Sequence, residues 1–282
     1  MHENLKPLLI TYAYNILGSV EDAKDIVQDA FLKYQLLPAK ENINDEKAYL
    51  VRTVINLSIN LKNKQKKLIA AYPGEWLPEP VETNNINAII EKKEILSYSL
   101  MVLLEKLNAK QRAVFILKEA FDYDHEEIAG VLDITVENSR QILNRAKKQL
   151  QKDNIVAETS ISSEQLDKYM DIISKGDTSR LEQLLYEDVT VISDGGGKAV
   201  AFVNPITGQK DVAALLLGIY RKFYSNARIE KSEINHHPAL FYYDDDGQLV
   251  TCQVFIFEGN RLKNLFFMRN PGKLQGLQKK IV

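Results

Sequence analysis

The sequence predicts a multidomain chain: two all-α domains, the second carrying a helix-turn-helix, followed by an α+β domain built on a conical sheet. Three observations predict it. Between residues 4 and 150, apolar residues recur at helical spacing, interrupted by one Pro-rich stretch. Residues 122–150, DYDHEEIAGVLDITVENSRQILNRAKKQL, read as two helices joined by a tight turn. From Val189 onward the apolar period becomes two.

A chain of 282 residues suits two or three domains, each able to bury a core. The net charge of -2 excludes a polycation, so any nucleic-acid surface is a local patch. A single cysteine, Cys252, rules out an internal disulfide and fits a reducing cytoplasm. No signal peptide, no apolar run near the length of a membrane span, and no zinc or calcium spacing is found.

Residues 4–17 predict an amphipathic helix stopped by Gly18. Ser19 to Asp22 read as a capping box, with the Asp22 carboxylate reaching back. The helix over 20–36 puts Ala23, Ile26, Val27, Ala30, Phe31 and Tyr34 on one face. Its other face carries Asp22, Asp25, Gln28, Asp29 and Lys33, a pattern that fits simple solvation or a protein-docking surface. After a loop containing Pro38, Asn44 is expected to cap a helix over 45–63 with Leu50, Val51, Val54, Ile55, Leu57 and Leu61 inward. Arg52, Asn56, Asn60 and Asn63 form a polar stripe on it, followed by Lys62, Lys64, Lys66 and Lys67. Such groups suit a DNA strand; a solvated basic helix end looks the same.

Residues 71–87, AYPGEWLPEPVETNNIN, are a linker with three prolines and the protein's only tryptophan, Trp76. That ring fits a latch on a neighbouring domain or local burial. A helix is expected over 89–107 and another over 108–120, capped by Asn108. His125–Leu132 and Val136–Leu150 make the helix-turn-helix, with Thr135 as N-cap and Asp133 where a turn usually wants Gly. Asn138, Arg140, Gln141, Asn144, Arg145, Lys147 and Lys148 point outward, the residue types that read base edges and phosphates in a major groove.

After a polar bridge, helices are expected over 163–175 and 178–185. Strands follow at VTVIS, KAVAFV, ARIEKSEIN, ALFYYD, LVTCQVFIFEG and RLKNLFFMRN, with an inserted helix over 211–224, giving a curved antiparallel sheet. Asp194, His236, His237 and Glu258 are the acid–base candidates; the His pair is expected exposed at a strand start. Asp194 to Lys198, DGGGK, lacks P-loop spacing, so its glycines are expected to let the backbone make a tight turn or approach a neighbouring domain.

The blocks AYNILGSVEDAKDIVQDAFLKYQ, AYLVRTVINLSIN and LEKLNAKQRAVFIL, followed by the helix-turn-helix, resemble the sigma-70 family. The resemblance is closest to its extracytoplasmic-function (ECF) group, which keeps only regions 2 and 4. The C-terminal part resembles the SnoaL-like fold. WLPEP, DGGGK and NPGKL sharpen this to the ECF subgroup with a fused SnoaL-like extension, although Gly272 stands where Asp is common and Tyr49 where many members have Trp.

The resemblance implies region 2 over 1–70, a linker over 71–88, region 4 over 89–153 and a SnoaL-like regulatory domain over 160–282. It implies a cytoplasmic sigma factor without catalytic residue, cofactor, metal or membrane contact. Its partners are then core RNA polymerase, through the β′ clamp and β flap, and promoter DNA. Asp22, Asp25, Gln28 and Asp29 would dock on polymerase; Arg52, Asn56, Asn60, Lys62 and Lys64, with the loop after Pro38, would engage the -10 element. Asn138, Arg140, Gln141, Asn144, Arg145, Lys147 and Lys148 would take the -35 element. Trp76, Pro78, Asp194, Gly195, Gly196, Gly197, Lys198, Asn270 and Pro271 would make regulatory contacts of the C-terminal domain with the linker and with regions 2 and 4. The alternative is a ligand-sensing or enzymatic SnoaL-like domain fused to a DNA-binding module that acts without polymerase.

Overall fold

The computed structural model describes residues 4–38, 43, 45–84, 90–151 and 163–277. The chain divides into two compact units: residues 1–70, 87–96 and 101–154 form the first, and 71–86, 97–100 and 155–282 the second.

The first unit is all-helical. Helix α1 (Lys6–Leu17) ends where Gly18 turns left-handed at φ 77° and its N–H closes on Tyr14 O. Ser19 caps α2 (Val20–Gln35) by accepting from Asp22 N at 3.3 Å. The expected return half of that capping box is replaced. Asp22 Oδ2 instead accepts from Gln65 Nε2 at 2.9 Å, because α3 (Glu46–Ala70) continues past the expected end at 63 and brings Gln65 alongside. Asp45 Oδ1 accepts Ala48 N at the start of α3; the expected cap, Asn44, lies outside the described residues, as do residues 39–42 of the preceding loop. Leu50, Val51, Val54, Ile55 and Ile59 bury the inner face of α3, while Leu57 and Leu61 are half-buried.

The long helix expected over 89–107 does not form. A 3-10 turn at Lys92–Glu94 gives way to extended Ile95, and α4 spans only Tyr98–Leu104. The cause is tertiary: Asn15, fully buried, uses its side chain to bind Glu94 O at 2.8 Å and Leu96 N at 3.3 Å, satisfying backbone groups that a helix would otherwise pair. Helix α5 (Ala109–Glu119) starts with a complete Asn108–Gln111 capping box. Helices α6 (His125–Leu132) and α7 (Val136–Leu150) have the expected bounds. Asp133 adopts φ 51° between them, and Thr135 caps α7 through Asn138 N at 3.1 Å.

The second unit is α+β. Helices α8 (Ser163–Lys175), α9 (Thr178–Leu184) and α10 (Gln209–Ile219), the last running into a π turn at Tyr220–Tyr224, pack on one face of a six-stranded sheet. Its strands are β1 (Leu185–Asp194), β2 (Ile206–Thr207), β3 (Arg228–Ile234), β4 (His237–Tyr243), β5 (Leu249–Glu258) and β6 (Arg261–Met268), in the order β2-β1-β6-β5-β4-β3. The sheet is mixed rather than antiparallel throughout: β1 and β6 run parallel, since the chain crosses over through α10 and the β3–β5 meander before β6. KAVAFV is not a strand. The glycine turn after Asp194 diverts it, leaving Val200 83% and Val203 64% exposed, and the short β2 pairs with β1 instead.

Alternation decides what each sheet face meets. Val191, Leu265, Phe267, Phe255 and Phe257 join Tyr169 and Tyr242 under the helices. Ile192, Asp194, Phe266 and Met268 point the other way. On that face the ring of Tyr98 meets Phe266 edge-on at 5.6 Å, and its hydroxyl donates to Pro78 O at 2.8 Å, so linker residues roof the sheet.

Candidate nucleic-acid interface and linker latch

Helix α7 presents a comb of exposed polar and basic side chains. Ser139, Ile142, Leu143, Ala146 and Leu150 are buried, which forces Asn138, Arg140, Gln141, Asn144, Arg145 and Lys148 to solvent. Lys147 is half-buried, its ammonium 2.9 Å from Glu119. Arg140 lies 3.7 Å from Glu137, an exposed pair that costs little to break. His125 Nδ1 and Ser139 Oγ meet at 2.9 Å, tying the first helix to the second. Burial, then the charges of Arg140 and Lys118, push the His125 pKa below its ordinary value.

The stripe on α3 is divided. Arg52, Asn60 and Lys64 are exposed. Asn56 donates to Arg52 O at 2.9 Å and to Val131 O, on α6, at 2.8 Å. Lys62 departs from expectation: it is only 8% exposed, and its ammonium binds Leu17 O at 3.0 Å and both Glu105 oxygens at 2.8 and 3.0 Å. Glu105 also pairs with Arg112, which has no exposed surface and donates from Nε to Asn15 O at 2.9 Å. Burial raises the Glu105 pKa, but Arg112 and Lys62 outweigh it and hold the carboxyl below the usual range. On α2, Asp25, Gln28 and Asp29 are exposed, and Asp22 is half-buried.

In the second unit the linker is fastened by Asp194, which has no exposed surface. Its Oδ1 accepts from Tyr72 Oη at 2.6 Å and Gly196 N at 3.0 Å; its Oδ2 accepts from Leu77 N at 3.0 Å and Lys273 Nζ at 2.7 Å. Lys273 also donates to Leu77 O at 2.5 Å and sits 4.0 Å over the half-buried Trp76 ring. Asn270 Nδ2 donates to Tyr72 Oη at 2.8 Å, and Pro271 opens a helical turn, α11 (Pro271–Leu274). Burial, followed by the hydrogen bond to Asp194 and its charge, raises the Tyr72 pKa.

The glycines are required by contact. A Cβ on Gly196, at φ 61°, would stand 2.3 Å from Asn270, and one on Gly197, at φ 68°, 2.8 Å from Pro73. A Cβ on Gly195 would meet Ala199 O at 2.3 Å. Lys198 is exposed; its backbone N–H closes the turn on Gly195 O at 3.0 Å. Tyr72 and Lys273 carry the latch, and neither belongs to the site residues that the sequence suggests. Lys273 lies inside NPGKL and Tyr72 four residues before Trp76, so proximity to the motifs was the available signal.

A second fastening was not legible. Asn235 and His236 form the β3–β4 turn at φ 44° and 66°. Asn235 exchanges two hydrogen bonds with Val81, both at 2.9 Å, and Thr83 N donates to Glu233 O at 3.0 Å, so the linker adds itself to the β3 edge. His236 is exposed as expected, whereas His237 is 2% exposed. Its Nε2 meets Ser99 Oγ at 3.1 Å, and burial pushes its pKa down to about 4. Among the described residues no cluster of three or more His, Cys, Asp or Glu is arranged to hold a metal ion, and no helix is long and apolar enough to cross a membrane.

Residues 1–68 match the model of sigma-70 region 2, and residues 97–150 that of sigma-70 region 4. The ECF RNA polymerase sigma factor SigJ of Mycobacterium tuberculosis is 30% identical over 78% of this chain and 72% of its own length. SigW of Bacillus subtilis, another ECF sigma factor, is 26% identical over 52% of this chain and 83% of its own. The crystal structure of Mycobacterium tuberculosis SigJ superposes with a TM-score of 0.77 at 26% identity, covering 97% of both chains.

Proposed function

The chain belongs to the ECF group of the sigma-70 family, an alternative sigma factor, and from that premise we propose how its residues divide the work. Core RNA polymerase and promoter DNA are its partners. Region 4 reads the -35 element through Arg140, Gln141, Asn144 and Arg145, with Asn138, Lys147 and Lys148 on phosphates. Region 2 engages the -10 element through Arg52, Asn56, Asn60 and Lys64, joined by Lys62 once it is released from Glu105. Asp22, Asp25, Gln28 and Asp29 meet the β′ clamp, and region 4 meets the β flap. The observation that carries the reading is the comb on α7, whose exposed reading groups stand on a helix capped at the correct residue behind a left-handed Asp133.

The C-terminal domain controls this activity through the linker. Asp194, Lys273 and Tyr72 tie down the segment that joins region 2 to region 4, and a tethered domain binds at high effective concentration. An enzymatic role for the domain is disfavoured by the same carboxylate, since Tyr72, Leu77, Gly196 and Lys273 occupy it. Run-off transcription with purified core polymerase tests the proposal, using the full chain and a fragment ending at Asp153. Promoter-dependent transcript that changes on truncation is expected; identical transcript from both removes the regulatory role.

A further inference from the structure

We infer that Glu105 is the centre of a clasp that holds region 4 against region 2 in an inactive arrangement, using groups that promoter binding needs. The inference rests on the sigma-factor reading above. Region 2 contributes Lys62, Asn56 and the backbone carbonyls of Asn15 and Leu17; region 4 contributes Glu105, Arg112 and the carbonyl of Val131. All belong to one compact unit.

Geometry makes the arrangement inactive. The -10 and -35 elements are named for positions about 25 base pairs apart, which is roughly 85 Å at 3.4 Å per pair. Asn56, on the helix facing the first element, is hydrogen-bonded at 2.8 Å to Val131, on the helix-turn-helix that faces the second. A rigid body with that contact cannot span both elements, so region 4 must leave region 2 before a promoter is read. The contact also occupies Asn56, and Glu105 occupies Lys62, so docking and DNA engagement compete for the same side chains.

The chemistry suits a switch better than a permanent seam. Buried ion clusters add little to stability compared with apolar packing, but they specify one arrangement and lose it sharply when one partner goes. Glu105 pairs with both the Lys62 ammonium and the Arg112 guanidinium. Removing its charge leaves a buried guanidinium facing an ammonium, and separation of the regions relieves both. Arg112 also holds Asn15, whose side chain grips Glu94 and Leu96, so the clasp extends to the segment leading into region 4.

The test is a distance measurement on the full chain without polymerase, with spin labels at Gln35→Cys and Lys110→Cys, both exposed positions in the two regions. Glu105→Gln is expected to add a long-distance population that the parent lacks, and to raise run-off transcription with core polymerase about tenfold. Lys62→Met, which keeps the stem and removes the charge, carries the distance test if the thermal melt of Glu105→Gln shows a poorly folded protein. An unchanged distance distribution in folded Glu105→Gln or Lys62→Met overturns the clasp. A widened distribution in a chain that fails to bind core polymerase leaves the clasp standing and overturns the sigma-factor assignment of roles instead.

Discussion

Asp194 Oδ2 and Lys273 Nζ lie 2.7 Å apart, the carboxylate wholly buried and the lysine side chain 14% exposed. Between them they take the N–H and the C=O of Leu77, so a single ion pair grips the linker by its backbone. Asp194→Ala strands the Lys273 charge in a buried site and is expected to cost about 3 kcal/mol or more. The measurement is a thermal melt paired with limited proteolysis. The melt of the second unit should fall by roughly 6–12 °C, and cleavage should appear within residues 71–80.

Gly196→Ala should release the same linker by steric means. The added methyl collides with Asn270 at 2.3 Å at a backbone angle of φ 61°. Gly247→Ala is the control: its φ is 76° but nothing lies within 4 Å. The control should lose only the left-handed penalty, about 1 kcal/mol, while Gly196→Ala loses more and exposes the linker to protease.

Asp133→Gly is expected to stabilise the helix-turn-helix. Asp133 is exposed and held at φ 51°, where a side chain costs roughly 1 kcal/mol that glycine avoids. A denaturant titration of the first unit reads the gain as a higher midpoint with an unchanged slope.

His237 predicts an acid limb of stability. It is neutral and buried in the fold, with its pKa near 4, and titrates near the ordinary 6.5 when unfolded. The stability of the neutral form is present above pH 6.5. As pH falls from 6.5 to about 4 the unfolded chain gains a proton that the fold refuses, and about 3 kcal/mol is lost. His237→Gln should flatten this window in urea unfolding measured at pH 7 and pH 4.5; an unaltered slope rules out His237 as its source.

Arg145→Ala and Lys148→Ala should differ in kind. Arg145 is proposed to read a base edge, so its loss should cost about 1–3 kcal/mol on the cognate -35 element while relaxing its sequence preference. Lys148 is proposed to meet a phosphate, so its loss should weaken all sequences alike and lower the salt dependence by about one counterion. Competition binding of the holoenzyme at two salt concentrations separates them.

By itself the sequence determined the local elements whose signals are local. Ser19, Asn108 and Thr135 cap helices because each accepts an amide three residues on. The period of α7 set which of its residues face out. The glycines of DGGGK pointed to a tight turn, and Lys198 N closes one on Gly195 O. Tertiary structure decided the rest, because it depended on partners far away in the chain. Asn15 broke a predicted helix by bonding residues 79 and 81 positions later. Lys62, which reads as one more solvated lysine in a basic run, was drawn inward by Glu105 from 43 positions away. His237 was buried where its ring meets Ser99, 138 positions earlier in the chain. Helical spacing says which face of an element is apolar; it cannot say which buried charge will find its opposite, since that pairing exists only after the chain has closed.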